Sequence, residues 1–254
     1  MTRKDKIKEI QKWAGTSPDG ILGDKTIDAI WKKIQPEPTV SVGPDEQPND
    51  SPVSAAYVSP AELVRKGMAK KILNMEDYKI TGPESLRVTR LPSGDGGGTW
   101  EIAGICDGIE PKEFNLIKSM MDRGDREAAW DECLRYVLVN TEPLVAKGVA
   151  GSYPIEFMLR DMTFNMGVAG TTKVVQRMLD LAIDGKWGKN TQAAWTRAIL
   201  SWDEMVVLDM LDRACRARYH SIVRANPAKE KFLTGWMNRC DARHAYALNL
   251  LSRK

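Results

Sequence analysis

The feature that most constrains the fold is a proline-rich segment near the N-terminus. Residues 35–60 contain six of the thirteen prolines and no Lys, Arg, Leu, Ile, Met, Phe or Trp. A segment without large apolar side chains adds little to a hydrophobic core, and proline-rich chain is extended. The sequence therefore predicts a linker at 35–60 between a small domain, residues 1–34, and a larger domain, residues 61–254.

Composition and charge exclude several classes of protein. The 43% hydrophobic and 28% charged residues are typical of a globular chain. The net charge of +3 is too small for a protein whose main task is to coat nucleic acid. With no Cys-x-x-Cys pair and only two histidines, we expect neither a metal site nor a cofactor. Ten basic and two acidic residues at 213–254 predict a local cationic surface.

A pattern near the N-terminus is repeated in the C-terminal half. The two copies are Gln11 with Asp19-Gly20-x-x-Gly23-x-x-Thr26, and Gln176 with Asp184-Gly185-x-x-Gly188-x-x-Thr191. Each predicts two helices joined by a glycine turn. The pattern resembles the peptidoglycan-binding modules of phage lysins and bacterial cell-wall hydrolases. The resemblance implies that Asp19, Gly20 and Gly23 contact peptidoglycan, and it leaves open whether the second copy is purely architectural.

A helix is predicted to begin after the linker and to end near a glutamate. Ser59 suits the N-cap, Pro60 the first helical position, and Glu62 lies three residues after the cap. The buried face continues every four residues through Val64, Met68 and Ile72. Glu76 is the next member of this series. Burial and the C-terminal end of a helix both disfavour a carboxylate, which favours a protonated Glu76 suited to general-acid catalysis. Exposure at a frayed helix end is the alternative.

The remainder of the larger domain predicts a small sheet and a helical body. Alternating and β-branched residues predict three antiparallel segments, Tyr78–Thr81, Leu86–Leu91 and Thr99–Ile105. From about Pro111 onward the pattern is helical. The expected fold is mainly α, with an α+β domain carrying a small β-sheet and a small helical N-terminal domain.

Four motifs resemble the lysozyme-like muramidase family of phage endolysins. They are Glu76-Asp77-Tyr78, Asp95 with Gly97-Gly98-Thr99, Asp161-x-x-x-Asn165-x-Gly167 and Gly235-Trp236-Met237-Asn238-Arg239. The resemblance implies a lysozyme-like catalytic domain with a peptidoglycan-binding-like C-terminal half. It also implies a glycoside hydrolase that cleaves the β-1,4 bond between N-acetylmuramic acid and N-acetylglucosamine, with Glu76 as the proton donor.

The identity of the second catalytic group stays open because the sequence departs from the family pattern after Glu76. The two glycines that follow the family's glutamate are absent, and the interval to Asp95 is longer than usual. Asp95 is favoured, and Glu101 on the next strand is the substitute or a substrate-binding residue. By analogy with the family, Thr99 orients a water molecule. Trp100 is a candidate for stacking on a sugar ring.

The expected partner is bacterial peptidoglycan, bound by a monomer that does not bind nucleic acid. The N-terminus lacks a signal-peptide pattern, so we expect synthesis in the host cytoplasm and release to the periplasmic cell wall through a holin or a similar route. A lytic transglycosylase and a non-hydrolytic peptidoglycan-binding phage structural protein are the alternatives. A zinc amidase or cysteine peptidase is disfavoured by the presence of only two histidines.

Overall fold

The computed structural model describes residues 59–92 and 97–252 and six positions near the N-terminus. These six are Lys8, Gln11, Lys12, Gly15, Ser17 and Pro18. The chain divides into two compact units, Met1–Ala56 and Tyr57–Lys254. Four predicted site residues lie outside the described residues, namely Asp19, Gly20, Gly23 and Asp95. The predicted domain bounds at 34 and 60 stay predictions.

The described part of the larger unit is mainly helical with a small three-stranded antiparallel sheet, as the sequence predicts. The helices are α1 (Pro60–Glu76), α2 (Pro111–Asp122), α3 (Arg126–Val145), α4 (Tyr153–Met178), α5 (Lys189–Ser201), α6 (Glu204–Ala225) and α7 (Leu233–Leu251). The strands are β1 (Thr89–Arg90), β2 (Trp100–Ile102) and β3 (Ile105–Cys106). None of these helices is both long and apolar enough to span a bilayer.

Helix α1 begins as the sequence predicts and carries Glu76 at its last position. The Ser59 hydroxyl oxygen accepts from the backbone N–H of Glu62 at 3.2 Å, which satisfies one of the free amides of the first turn. Met68 and Ile72 on the predicted face are fully buried. Burying each such side chain contributes about 1.5–3 kcal/mol, which holds α1 against the core. Glu76 therefore ends a helix that is anchored at both its cap and its apolar face.

Helix α4 packs against α3, α6 and α7 and is buried along most of its length. Its apolar positions Ile155, Leu159 and Met162 lie in the core. Gly167, with φ of +71°, has non-helical geometry inside this element. The helix is thus interrupted at this glycine, and the chain then continues as a second helical segment to Met178.

The sheet differs from the prediction in its strands. The predicted strand Tyr78–Thr81 is a turn in which the N–H groups of Lys79 and Ile80 donate to Asp77 at 3.0 and 2.8 Å. The predicted strand Thr99–Ile105 is two strands, β2 and β3, joined at Ala103–Gly104. Both turn residues have positive φ, +54° and +82°, the geometry of a two-residue hairpin turn. The sequence predicts one continuous strand here because the segment has high strand propensity and because Ala103 is not a typical residue for such a turn.

Candidate functional site

Glu76 forms an ion pair with an arginine from the far end of the chain. One carboxylate oxygen of Glu76 accepts from Nη1 of Arg239 on α7 at 2.5 Å. The Glu76 side chain is 23% exposed, so it is neither sealed in the core nor surrounded by water. Glu76 is therefore a carboxyl group at a helix end, open to one side and held by a cation.

This contact adds a charge that the prediction from the sequence did not include. The predicted protonated Glu76 depends on burial and on the end of α1, whereas the structure also places the Arg239 guanidinium 2.5 Å from the carboxylate. The sequence around Glu76 does not indicate this cation, because Arg239 lies 163 residues further along the chain.

Arg239 is itself held by a second carboxylate, that of Asp161 on α4. Arg239 donates to Asp161 Oδ1 from Nη2 at 2.7 Å and from Nε at 3.1 Å, and the Asp161 side chain is fully buried. Burial opposes the charge of Arg239, but the carboxylates of Asp161 and Glu76 outweigh it and raise the pKa of Arg239 above its usual value. The guanidinium is thus kept charged and oriented by two carboxylates.

The ion pairs continue from Asp161 towards the surface. Arg243, fully buried on α7, lies 3.4 Å from Asp161 and 3.5 Å from Asp212. Arg216 pairs with Asp212 at 2.6 Å. The predicted cationic surface at 213–254 is therefore wrong in part, because three of the eight basic residues that the structure describes there are paired with carboxylates and two of those three are buried.

Two motifs that are far apart in the sequence form one contact in the structure. Asp161 and Arg239 form its ionic part. Tyr219 on α6 forms its other part, because its hydroxyl donates to Asn165 Oδ1 at 2.6 Å and its ring stacks on Trp236 with centroids 4.8 Å apart. No pattern in the sequence marks Tyr219, although it connects the two motifs.

The hairpin turn between β2 and β3 packs directly on Glu76. A Cβ atom on Gly104 would lie 2.9 Å from Glu76 Cγ and 3.1 Å from a ring carbon of Phe164. The φ of +82° at Gly104 also favours glycine. The backbone of the turn thus forms one wall around the Glu76 side chain.

Replacing Gly104 with alanine should destabilise the domain and displace Glu76. Gly124 offers a matched control, since its φ is +81° and a Cβ there meets no atom within 4 Å. Gly124→Ala should cost about 1 kcal/mol from backbone conformation alone. Gly104→Ala should cost about 1–3 kcal/mol more because the methyl group overpacks the site. Chemical denaturation of both variants measures the difference in stability. Equal losses of stability would show that a side chain at position 104 makes no steric clash with Glu76.

The predicted residues Thr99, Trp100 and Glu101 lie at or in β2, which leads into this turn. Thr99 is exposed, Trp100 is 42% exposed and Glu101 is half-buried. Glu101 precedes Gly104 by three residues, so their Cα atoms are at most about 11 Å apart. The turn that follows β2 therefore lies against Glu76, and β2 is joined to the site through this turn.

Asp107, which is not among the predicted site residues, holds the beginning of β2. Its Oδ1 accepts from the backbone N–H groups of Thr99 at 2.7 Å and Trp100 at 3.0 Å. These hydrogen bonds, above all the one from Trp100, lower the pKa of Asp107. The Asp107-Gly108 dipeptide after an apolar pair is a turn signal that points to such a role.

In the second repeat copy, the motif residues bind one another. Gln176 is 2% exposed, and its amide nitrogen donates to Asp184 at 2.7 Å and Thr191 at 3.3 Å. Its amide oxygen accepts from the Gly185 N–H at 2.9 Å. The motif of this copy therefore locks a turn between α4 and α5. In the first copy only Gln11 of the motif is described, and it is similarly buried at 1% exposure.

Replacing Gln176 with methionine should destabilise the domain, because Gln176 holds this turn together. Methionine is similar in size but leaves the turn's polar groups without their partner, which costs about 1–3 kcal/mol. Asp184→Asn, at an exposed position, keeps an oxygen that accepts hydrogen bonds and should cost less. Denaturant unfolding compares the two variants. A larger loss of stability for Asp184→Asn than for Gln176→Met would show that Gln176 is not the main residue that holds the turn.

Comparison with known protein families gives a match over part of the larger unit. Residues 171–241 match the family model described as Predicted Peptidoglycan domain. This range includes the repeat turn and Arg239 but not Glu76 or Asp161. No curated protein and no solved structure matches the chain. Residues 171–241 are thus similar to a peptidoglycan domain, which supports a peptidoglycan-related protein.

Proposed function

We propose that this chain is a modular phage endolysin that hydrolyses the β-1,4 bond between N-acetylmuramic acid and N-acetylglucosamine. The observation that carries the proposal is the Glu76–Arg239 pair. It joins a partly exposed carboxyl group at a helix end to an arginine of the segment that matches the peptidoglycan domain. The Gly104 turn beside Glu76 adds a backbone wall to the same site.

In the proposed reaction, Glu76 donates a proton to the glycosidic oxygen as the bond breaks. The carboxylate that remains is stabilised by Arg239, whose own charge and orientation are maintained by Asp161. A fixed cation beside a group that gains negative charge needs no rearrangement during the step. Arg239 therefore acts on Glu76 and not on the sugar.

A second carboxyl group is needed to stabilise the sugar cation or to activate water. Asp95 and Glu101 are the candidates, with Thr99 orienting the water and the exposed ring of Trp100 stacking on a sugar. Asp95→Asn and Glu101→Gln, assayed side by side on purified walls, separate them. The variant that loses more activity identifies the second group.

The products released from purified peptidoglycan test the proposal itself. Hydrolysis should leave reducing N-acetylmuramic acid ends, which mass spectrometry of the soluble fragments detects. Anhydromuramic ends would instead show a lytic transglycosylase, in which a hydroxyl of the substrate closes the ring. Fragments cleaved only in the stem peptides would exclude glycosidase activity.

A non-hydrolytic peptidoglycan-binding protein is the second candidate. The observation that favours it is the Glu76–Arg239 ion pair, because this contact gives Glu76 a structural role in joining α1 to α7 without any catalytic step. This function predicts that the protein sediments with walls and releases no soluble fragments. Pelleting and fragment release, measured on the same sample, distinguish the two candidates.

The modular arrangement suits an insoluble substrate. A tethered wall-binding domain raises the concentration of the catalytic domain at the polymer without adding contacts to the active site. In this proposal the protein acts as a monomer on the cell wall after leaving the host cytoplasm by a holin-like route. Bacterial peptidoglycan is its partner.

A further inference from the structure

The small sheet carries an exposed arginine directly opposite an exposed tryptophan. Arg90 on β1 and Trp100 on β2 are partners in the antiparallel pair of these strands. Directly opposite residues of such a pair have their side chains on the same face of the sheet, with Cβ atoms about 4.5–5.5 Å apart. Arg90 is exposed, and Trp100 is 42% exposed. A guanidinium and an indole ring therefore leave the same face of the sheet side by side.

The backbone around this pair is held on both sides. The Leu91 N–H donates to the Thr99 carbonyl at 2.9 Å, which ties β1 to β2. On the other side of β2, the Asp107 N–H donates to the Trp100 carbonyl at 2.9 Å, and the Trp100 N–H donates to the Asp107 carboxylate at 3.0 Å. The two side chains thus start from fixed backbone positions, which reduces the conformational entropy lost when a ligand binds.

Arg90 has no carboxylate partner within the part of the chain that the structure describes. Two acidic residues near it in the sequence are already paired with other arginines. Asp77 forms an ion pair with Arg87. Glu84 lies 3.5 Å from Arg126. The guanidinium of Arg90 is therefore free to bind a carboxylate of a ligand.

The chemistry of this pair matches an acidic glycopeptide. An exposed indole ring stacks on the apolar face of a sugar, and a guanidinium binds a carboxylate through two parallel hydrogen bonds. Peptidoglycan combines both groups, because its sugars carry stem peptides with free carboxylates. The match of residues 171–241 to a peptidoglycan domain supports the same partner.

We propose that Arg90 and Trp100 form a subsite in which Trp100 stacks on a sugar ring of peptidoglycan and Arg90 binds a carboxylate of the attached stem peptide. Trp100 precedes Gly104 by four residues, so their Cα atoms are at most about 14 Å apart. The Gly104 turn packs on Glu76. The place of this subsite beside the cleaved bond rests on the proposed function, whereas its binding of the stem peptide does not.

Binding of a soluble probe tests the proposal without any cleavage. The probe is the disaccharide tetrapeptide of peptidoglycan with N-acetylmuramic acid at its reducing end, which lacks the bond that the proposed reaction breaks. Calorimetry with the full-length protein measures its Kd. Arg90→Gln should weaken binding about three- to tenfold, because it removes one charge-assisted contact at an exposed position. An equal Kd for Arg90→Gln and the wild type would overturn the proposal.

A second probe identifies the group that Arg90 binds. In this probe the carboxylates of the stem peptide are converted to amides, and the sugars are unchanged. The wild type should bind the neutral probe about as weakly as Arg90→Gln binds the acidic one, and Arg90→Gln should cause no further loss. A loss of the same size on both probes would show that Arg90 does not bind a carboxylate.

Two further variants control for charge and for geometry. Arg123→Gln removes the same charge at an exposed position at the end of α2 and should bind the acidic probe like the wild type. Arg90→Lys keeps the charge without the planar fork and should recover part of the affinity. An Arg123→Gln loss equal to that of Arg90→Gln would assign the effect to net charge and contradict the subsite.

Kinetics on purified walls separate the subsite from the proposed hydrolysis. Arg90→Gln should raise the KM and leave kcat nearly unchanged, because Arg90 contacts the substrate away from the bond that breaks. A fall in kcat at unchanged KM would contradict this role. If the wild type releases no reducing ends, the proposed hydrolysis fails, and calorimetry with the two probes still decides whether Arg90 binds the stem peptide.

Discussion

Replacing Glu76 with glutamine should abolish lysis of cell walls while the fold and wall binding persist. Glutamine keeps an oxygen that accepts from Arg239, but it cannot act as the acid. General acid–base catalysis contributes about 10²–10⁴-fold, so the lysis rate should fall by at least about a hundredfold. Turbidity of purified walls measures the rate, pelleting measures binding, and circular dichroism checks the fold.

Glu84→Gln is the matched control for this variant. The same chemical change is made in a 3₁₀ turn of the same domain, at a side chain that is 87% exposed. We expect full activity, because the Glu84 side chain makes a long ion pair with Arg126 at 3.5 Å, and the hydrogen bond from Arg126 to the Glu84 backbone carbonyl persists in the variant. A Glu76→Gln protein that lyses walls as fast as the Glu84→Gln protein would exclude Glu76 as the proton donor.

Replacing Arg239 with methionine should strongly destabilise the domain. Methionine fills part of the space but leaves Asp161, which is fully buried, without its closest cationic partner. Removing one partner of a buried ion pair costs about 3–5 kcal/mol, mostly because the remaining charge is uncompensated. The remaining contact of Asp161 with Arg243, at 3.4 Å, is too long to compensate fully. Denaturant unfolding measures the loss.

A double variant tests the cause of that loss. Adding Asp161→Asn to Arg239→Met removes the uncompensated charge and should restore part of the stability. Lys118→Met breaks an exposed ion pair on α2 and should change stability by less than about 1 kcal/mol. A double variant that is as unstable as the sum of its two single changes would mean that Asp161 and Arg239 do not act as a pair.

Because of these ion pairs, the larger unit cannot be divided into a separate catalytic part and a separate binding part. Arg239 lies in the segment that matches the peptidoglycan domain, whereas Glu76 and Asp161 lie before it. Removing that segment would leave both carboxylates without their shared cation. The proposed acid and the peptidoglycan-binding segment are therefore parts of one folded structure.

Local patterns in the sequence predicted the helical elements of the site well. The start of α1 depends on Ser59 and Pro60, and its buried face depends on a spacing of four residues. A short stretch of the sequence therefore determines both features. The same holds for the second repeat copy, in which a glycine turn precedes α5. Such features depend on backbone conformation and on neighbours one or two turns away.

Long-range contacts could not be predicted in the same way. The contact between Glu76 and Arg239 depends on how α1 and α7 meet in the folded domain, and nothing near either residue indicates it. For the same reason, Arg243 was assigned to a cationic surface, although it is buried beside Asp161. Strands of two or three residues, such as β1, are also too short to give a clear alternating pattern.

The release of new reducing ends from purified peptidoglycan tests the central claim most directly. The wild-type protein should release many reducing N-acetylmuramic acid ends per molecule, whereas Glu76→Gln should remain at the level of the blank although it sediments with the walls. Wild-type protein at the level of the blank, or Glu76→Gln at the wild-type rate, would contradict glycosidic cleavage with Glu76 as the acid.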